Sequence, residues 1–348
     1  MLQGVVKVSE TNFWRITLDT NPDTCNLNCI MCEDHSPYSD SPKIRKQQRR
    51  LRPNMDRDML ERVIRDAANM GIKEIIPSTM GEPLLYPHFD VFLDLCHELN
   101  LSLNLTTNGT FPSPDKHQNV EYWANRVVPI GSDVKISWNG AKEHTQSKIM
   151  LGAKLSKHIE NAKRFIAVRD ELAEQHYCSM TMQLTFLRSN LEEIPDMLDL
   201  AIELGFDRIK GHHLWTHFDE IASENLRNDI IFADRWNQIV KYCKERVTRH
   251  NETASRPFKL DNFSELYLNN LDDIAPNGSC PFLGKEIWID PTGRFNVCCA
   301  PDQERKTLGD FGSVSNNSLS ELAKSKKYSQ LMNSYKENSL CKQCTMRR

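Results

Sequence analysis

The stretch "CNLNCIMC", residues 25–32, sets Cys25, Cys29 and Cys32 within eight residues, just after the β-branched run "WRITLDT" at 14–20. Three thiols are an incomplete set, because structural zinc and ordinary iron–sulfur centres take four protein ligands. A site one ligand short leaves a metal position open for a non-protein group, as catalytic metal sites do. The loop also follows a predicted strand, and in parallel α/β sheets ligands bind at the carboxyl ends of strands. Count and position therefore point the same way, to an open metal site at the business end of an α/β fold.

Outward from this loop the chain keeps a steady rhythm. Strand-like runs alternate with helical apolar patterns: "WRITLDT", "KEIIPSTM", "LSLNLTTNG", "DVKISWNG", "SMTMQLTFL" and "DRIKGHHLW" are each followed by a helix candidate. Gly71 and Gly205 stand where helices should stop. Six strand–helix units in series imply a parallel α/β sheet with right-handed crossovers, in either an open doubly wound or a partial-barrel arrangement. The loops at the strand ends are unusual as a set: the cysteine loop, then "MGEPLLYP", "TTNGT", "SWNGA" and "GHHLWTHFDE". Polar, glycine-containing turns at one end of successive strands are what a ligand site on this architecture needs.

Composition narrows the setting. The chain has 348 residues, net charge −3 and 39% hydrophobic residues, so no global field suggests nucleic acid as a partner. No apolar run approaches the roughly 20 residues of a membrane span, and the N-terminus lacks a signal-peptide pattern. The expected location is cytoplasmic, where thiols stay reduced. There, eleven cysteines clustered as Cys25/29/32 and Cys280/298/299/341/344 favour metal ligation over disulfides. Cys96, Cys178 and Cys243 are scattered between the clusters; Cys96 falls on an amphipathic helix pattern and reads as core.

The CX3CX2C spacing just past the first strand resembles the signature of the radical S-adenosylmethionine (SAM) superfamily. The resemblance implies a [4Fe–4S] cluster on Cys25, Cys29 and Cys32 whose unique iron takes the amine and carboxylate of SAM. Reductive cleavage of SAM then gives a 5′-deoxyadenosyl radical that removes a hydrogen atom from substrate. "MGEPLL" resembles the family's GGEP turn and implies that Gly81, Glu82 and Pro83 hold the methionyl amine. "TTNGT" resembles its TNG turn, which includes Asn108, and "ISWNGA" its SxDGA segment, which makes Ser137 a SAM contact. Gln183 and Arg188, near the end of the fifth strand, are further candidates. Met80, Asn139 and Met31 depart from the family pattern, replacing glycine, aspartate and an aromatic residue; no catalytic role of that aspartate transfers to Asn139. The implied fold is a six-stranded partial (β/α)6 TIM-like barrel over about 10–250.

The late cysteines form a second pattern. Cys280 to Cys298 reads CX12GX4C through Gly293, and Cys341 to Cys344 reads CX2C. "KEIWIDPTGRFNVCC" predicts a hairpin turning at "DPTG". One thiol from each strand beside a CX2C turn completes four positions, which suit zinc as well as iron. The spacing is similar to the auxiliary-cluster region of SPASM and twitch domains. That resemblance implies a small cysteine-rich C-terminal domain over 260–348, with a second, auxiliary [4Fe–4S] cluster on Cys280, Cys298, Cys341 and Cys344. Pleating predicts that Cys299 points away from Cys298, either packing or donating a hydrogen atom to a substrate radical.

Substrate expectations rest on less. The loop "KIRKQQRRLRP" carries Lys43, Arg45, Lys46, Arg49, Arg50 and Arg52 and could hold an anionic substrate. "GHHLWTHFDE" offers His212, His213, His217, Asp219 and Glu220 for acid–base work. With 24 residues before Cys25, no separate leader-recognition domain is expected, which points to a small polar substrate. The expected reaction is oxidation or epimerisation of a carbohydrate- or aminocyclitol-like carbinol, with modification of a ribosomal peptide as the alternative. A flavodoxin- or ferredoxin-type protein is the expected electron donor. From a different class, a non-catalytic zinc or iron–sulfur module stays open.

Overall fold

The helix Arg57–Asn69 shows how local sequence sets the architecture. Leu60, Val63, Ile64 and Ala67 are buried at i, i+3, i+4 and i+7, the stripe a helix needs to sit on a sheet. Asp56 caps it by accepting from the backbone N–H groups of Asp58 and Met59, and Gly71 follows the end at φ 83°. The helices Phe89–Glu98, Val120–Val127, Leu155–Glu171, Ile194–Leu204 and Ile230–Asn251 follow the later strands in the same way. The computed structural model describes residues 12–40, 42–78, 80–113, 115, 117–268, 278–344 and 346–347.

The strands are β1 (Arg15–Leu18), β2 (Asn28–Cys29), β3 (Glu74–Ile76), β4 (Ser102–Thr107), β5 (Gly131–Ser137), β6 (Met150–Leu151), β7 (Ser179–Phe186), β8 (Arg208–His213), β9 (Lys259–Asp261), β10 (Glu286–Ile289) and β11 (Phe295–Asn296). The main sheet runs β11-β10-β1-β3-β4-β5-β7-β8-β9. Every neighbouring pair in it is parallel except β10 and β11. The six strands expected from the sequence are its centre, in sequence order.

Period-two alternation divides the two faces. Ile16, Ile75, Leu105, Val134, Ile136, Met182 and Ile209 are fully or almost fully buried under the helices. The opposite positions, among them Thr17, Asn104, Lys135, Gln183 and Lys210, line one cavity of about 840 Å³ together with residues of β3 and β10. Side chains from seven strands can share one cavity only if the sheet curls around it. The α/β architecture is therefore a partial barrel.

The hairpin predicted at "DPTG" forms, with Trp288 opposite Asn296 and Ile289 opposite Phe295. Its first strand does something the spacing did not indicate: β10 pairs in parallel with β1, Arg15 opposite Glu286 through Leu18 opposite Ile289. A buried polar network fastens this seam. Arg15 bridges Glu74 at 2.6 Å and Glu286 at 3.4 Å, and Thr17 Oγ1 donates to Glu286 Oε1 at 2.8 Å. Burial pushes the Glu286 carboxyl above its usual range. Glu286→Ala leaves Thr17 without its acceptor and strips one partner from Arg15. Urea unfolding should show a loss of about 2–4 kcal/mol, and Glu286→Gln a smaller one.

Candidate cofactor and substrate site

The cysteine loop leaves the end of β1 and is held by a small second sheet. Within it, β2 pairs antiparallel with β6, setting Cys29 opposite Met150 and Asn28 opposite Leu151. Cys25, Cys29 and Met31 pack on a separate apolar cluster that includes Leu27, Ile149 and Leu187. Burial pushes the Cys25 thiol up to about 11, with the charges of Glu82 and Cys32 adding to the effect. Burial, then Cys32 and Cys25, raise Cys29 as well. Three thiols near enough to repel one another as thiolates, in a partly desolvated pocket, need a cation to ionise. The donor set therefore fits a metal cluster, and Cys29 and Cys32 open onto the barrel cavity.

Behind the loop lies an ion-pair clamp. Asp23 accepts from Arg45 Nη2 and Arg52 Nε, each at 2.8 Å, and Arg52 Nη2 also meets Asp34 at 2.9 Å. Burial works against ionising Asp23, but the hydrogen bonds and charge of Arg52 hold its carboxyl below the usual range. This corrects the expectation for the basic loop. Arg45 and Arg52 brace the cysteine loop, and Arg50 pairs with Asp40 at 2.8 Å, because acidic neighbours within the same segment neutralise them first.

The "MGEP" turn is stitched to the same loop. Asn21 Nδ2 donates to the Glu82 carbonyl at 2.7 Å, and the Glu82 N–H donates to the Thr24 carbonyl at 2.8 Å. Gly81 sits at φ 77°, and a Cβ there would fall 2.3 Å from the Asn21 carbonyl oxygen. Only glycine fits this close approach. Pro83 opens a buried one-turn helix, Pro83–Leu85. The Glu82 carboxylate is fully buried and accepts from Thr107 Oγ1 and the Asn108 N–H, each at 2.7 Å, and from the Leu84 N–H at 3.3 Å. Those three bonds leave one acceptor direction on the carboxylate. They also join the "MGEP" and "TTNG" turns into one unit.

Of the expected SAM contacts, Asn108, Ser137 and Gln183 line the cavity with Cys29 and Cys32. Arg188 does not join them: its guanidinium lies 4.1 Å over the Phe232 ring, drawn outward by a cation–π contact. Asn139 reaches the cavity, and its Oδ1 accepts from the Thr185 N–H at 2.8 Å. Of the histidine-rich segment, His212 lines the cavity, whereas the His213 ring packs against Phe186 and Trp236 and the His217 ring against Trp215. Cys96, Cys178 and Cys243 are buried in the main core.

The second group of cysteines also converges. The Cys341 thiol is pushed up to about 11 by burial and by the charges of Cys298, Cys280 and Cys344. Cys299 does not point away from them. Its thiol lies close enough to Cys298 for the pair to raise Cys299 and lower Cys298, and within range of the charges of Cys344 and Cys280. Both residues come after β11, outside the ladder, so strand alternation does not govern them. Cys299 is exposed where the other four are half-buried, and its exposed side lines the barrel cavity.

Sequence reasoning overlooked the charged cavity wall: Arg15, Glu74, Asp133, Lys135, Arg208, Lys210 and Glu286. The signal was present as i, i+2 charges in "DVKIS" and "RIKGH", which is unusual in parallel strands normally covered on both faces.

Two outcomes test the turns. Gly81→Ala should destabilise the fold by several kcal/mol in denaturant unfolding, because backbone strain and a backbone clash add. Burial pushes Glu82 up from 4.5 to about 7. A raised acid contributes stability below about pH 4.5 that is lost as pH rises through about 7. Glu82→Gln should therefore gain on wild type by up to about 3 kcal/mol between pH 4.5 and 8, read by urea unfolding of the metal-free chain.

Comparison with known proteins places this geometry. The Radical SAM superfamily model matches residues 22–201, and the SPASM iron–sulfur cluster-binding domain matches residues 280–345. The PqqA peptide cyclase of Methylorubrum extorquens is 26% identical over 228 residues, 64% of this chain and 52% of that protein. The chain thus spans about half the length of the curated relatives it matches. SuiB of Streptococcus suis, solved with its precursor peptide SuiA, shares the fold at TM-score 0.65 and 17% identity, over 97% of this chain and 70% of that one. The protein anSMEcpe, solved with AdoMet and a Cp18Cys peptide, does so at 0.63 and 15%, over 95% and 86%. Among the described residues, no helix is long and apolar enough to cross a membrane. The two matched domains bring [4Fe–4S] clusters and SAM as cofactors. The chain belongs to the Radical SAM superfamily and carries a SPASM iron–sulfur domain.

Proposed function

We propose that this protein removes a hydrogen atom from a peptide, with Cys25, Cys29 and Cys32 holding the SAM-binding cluster and Cys280, Cys298, Cys341 and Cys344 an auxiliary one. In this reading residues 10–250 form the radical core and 260–348 the auxiliary-cluster region. The observation that carries it is the single cavity lined by Cys29 and Cys32, by Asn108, Ser137 and Gln183, and by Cys299. With a reduced cluster held by Cys25, Cys29 and Cys32, bound SAM would supply the radical chemistry that abstracts the hydrogen atom. The protein's part is placement: the Gly81–Pro83 turn abuts the cysteine loop, and Asn108, Ser137 and Gln183 offer hydrogen bonds to SAM. Cys299 faces the same space and is the group we assign to meet the substrate radical. A flavodoxin- or ferredoxin-type protein supplies the electron.

The substrate class rests on the relatives. A peptide cyclase is similar over nearly two thirds of this chain, and two proteins of the same fold have been solved with peptides. This favours a peptide over the carbinol expected from the sequence. The test uses deuterated cell extract separated into peptide and small-molecule fractions. Anaerobic enzyme, SAM and reductant should yield deuterated 5′-deoxyadenosine from the peptide fraction; labelling confined to the small-molecule fraction rejects the proposal. Replacing Cys25, Cys29 and Cys32 together by Ala should abolish SAM cleavage while about four irons stay bound. Loss of all iron would mean that the two cysteine groups share one site.

A further inference from the structure

Among the described residues the cavity wall carries four Arg and Lys cations, and three of them are already paired. Arg15 bridges Glu74 and Glu286 at 2.6 and 3.4 Å, Lys135 meets Asp133 at 3.2 Å, and Arg208 is held by Asp133 and Asp261, each at 3.1 Å. Lys210 is the fourth. It is half-buried on β8 and makes no ion pair or hydrogen bond with any described residue. Asp261, its neighbour across the ladder, is taken by Arg208.

The surroundings of Lys210 suit an anion. Burial, then the charges of Lys210 and Lys135, hold His212 below its usual range, so its ring is neutral near pH 7. Asn262 Nδ2, which donates to the Gly211 carbonyl at 3.0 Å, lies 3.4 Å from His212 Nδ1. That contact makes Nδ1 the acceptor and leaves Nε2–H as a donor. Lys210 stands opposite Gln183, and Gln183 opposite Ser137, in one cross-strand row. An uncompensated lysine beside a neutral donor histidine, on a partly desolvated wall, offers a carboxylate a charge-assisted hydrogen bond stronger than it would find in water.

We infer that Lys210 and His212 form the subsite that binds a carboxylate of the substrate, so that the peptide presents an acidic side chain or its C-terminus to the barrel wall. The inference rests on the peptide reading above for its occupant, though not for the anion site itself. The carboxylate of SAM competes for this place, because Gln183, opposite Lys210, is a SAM contact in that reading, but it is the poorer candidate. It shares a carbon with the amine, which that reading puts at the Gly81–Pro83 turn after β3, and β8 lies four strands along the sheet from β3.

Calorimetric titration of the reconstituted, SAM-saturated protein tests this with three probes: N-acetylglutamate α-amide, N-acetylglutamine α-amide and glutarate. The glutamate probe should bind about 10- to 150-fold more tightly than the glutamine probe. Lys210→Met should erase that preference and Lys210→Arg should keep most of it, while SAM affinity, titrated separately, stays within about twofold of wild type. Equal binding of the two amides, absence of binding by any acidic probe, or a preference that survives in Lys210→Met overturns the inference. So does a loss of SAM affinity in Lys210→Met, which would assign the lysine to the cofactor. Binding of glutarate without either amide keeps the anion subsite and overturns the peptide reading.

Discussion

The parallel pairing of β10 with β1 is the constraint on which the rest of the site depends. It is a seam between segments about 270 residues apart in sequence, made by four residue pairs and the Arg15–Glu74–Glu286–Thr17 network. Because β1 ends in the first cysteine loop and β10 leads through its hairpin to Cys298 and Cys299, this one seam brings Cys29 and Cys32 of the first group and Cys299 of the second to the same cavity. The loop-closure cost of such a long-range contact is large but grows only slowly with length. Buried hydrogen bonds and apolar packing by Ile287 and Ile289 offset it.

The cysteine loop gains its rigidity from neighbours and not from regular structure. Its own strand is two residues long and paired with another of two residues. Order comes from the Asp23 clamp with Arg45 and Arg52, from Asn21 bonded to the Glu82 carbonyl, and from Gly81 pressed against the loop's backbone. A loop that carries three mutually repelling thiolates benefits from being fixed before a cluster assembles, since less conformational entropy is then lost on binding.

The barrel interior has a different balance. Its wall is crowded with charges arranged as ion pairs, each of which gives up hydration in exchange for a partner. Such a wall keeps the cavity polar and fixes its shape. Where the pairing is complete it is scaffold. Among the described residues the pairing stops at Lys210, and there the wall has charge available for a ligand.

Much of this was legible in the sequence. Helical stripes such as Leu60/Val63/Ile64/Ala67 and period-two strands specify their elements locally, because burial of one face follows directly from spacing. The cysteine spacings and the glycine of "MGEP" could be read because a metal site or a close backbone approach tolerates few residue types. Other features needed the tertiary structure. The basic run at 43–52 is indistinguishable in sequence from an anion site, and only folding shows Asp23, Asp34 and Asp40 neutralising three of its arginines. Arg188 comes two residues after the end of β7, whose Gln183, Leu184 and Thr185 line the cavity, but turns to Phe232. Cys299 faces the thiols because its segment has left the ladder. By itself the sequence determined the elements, their order and the residue types capable of the chemistry, which depend on near neighbours. The tertiary structure decided which charges find partners, which thiols converge and which cavity lysine is left unpaired among the described residues, because those outcomes depend on contacts between residues far apart in the chain.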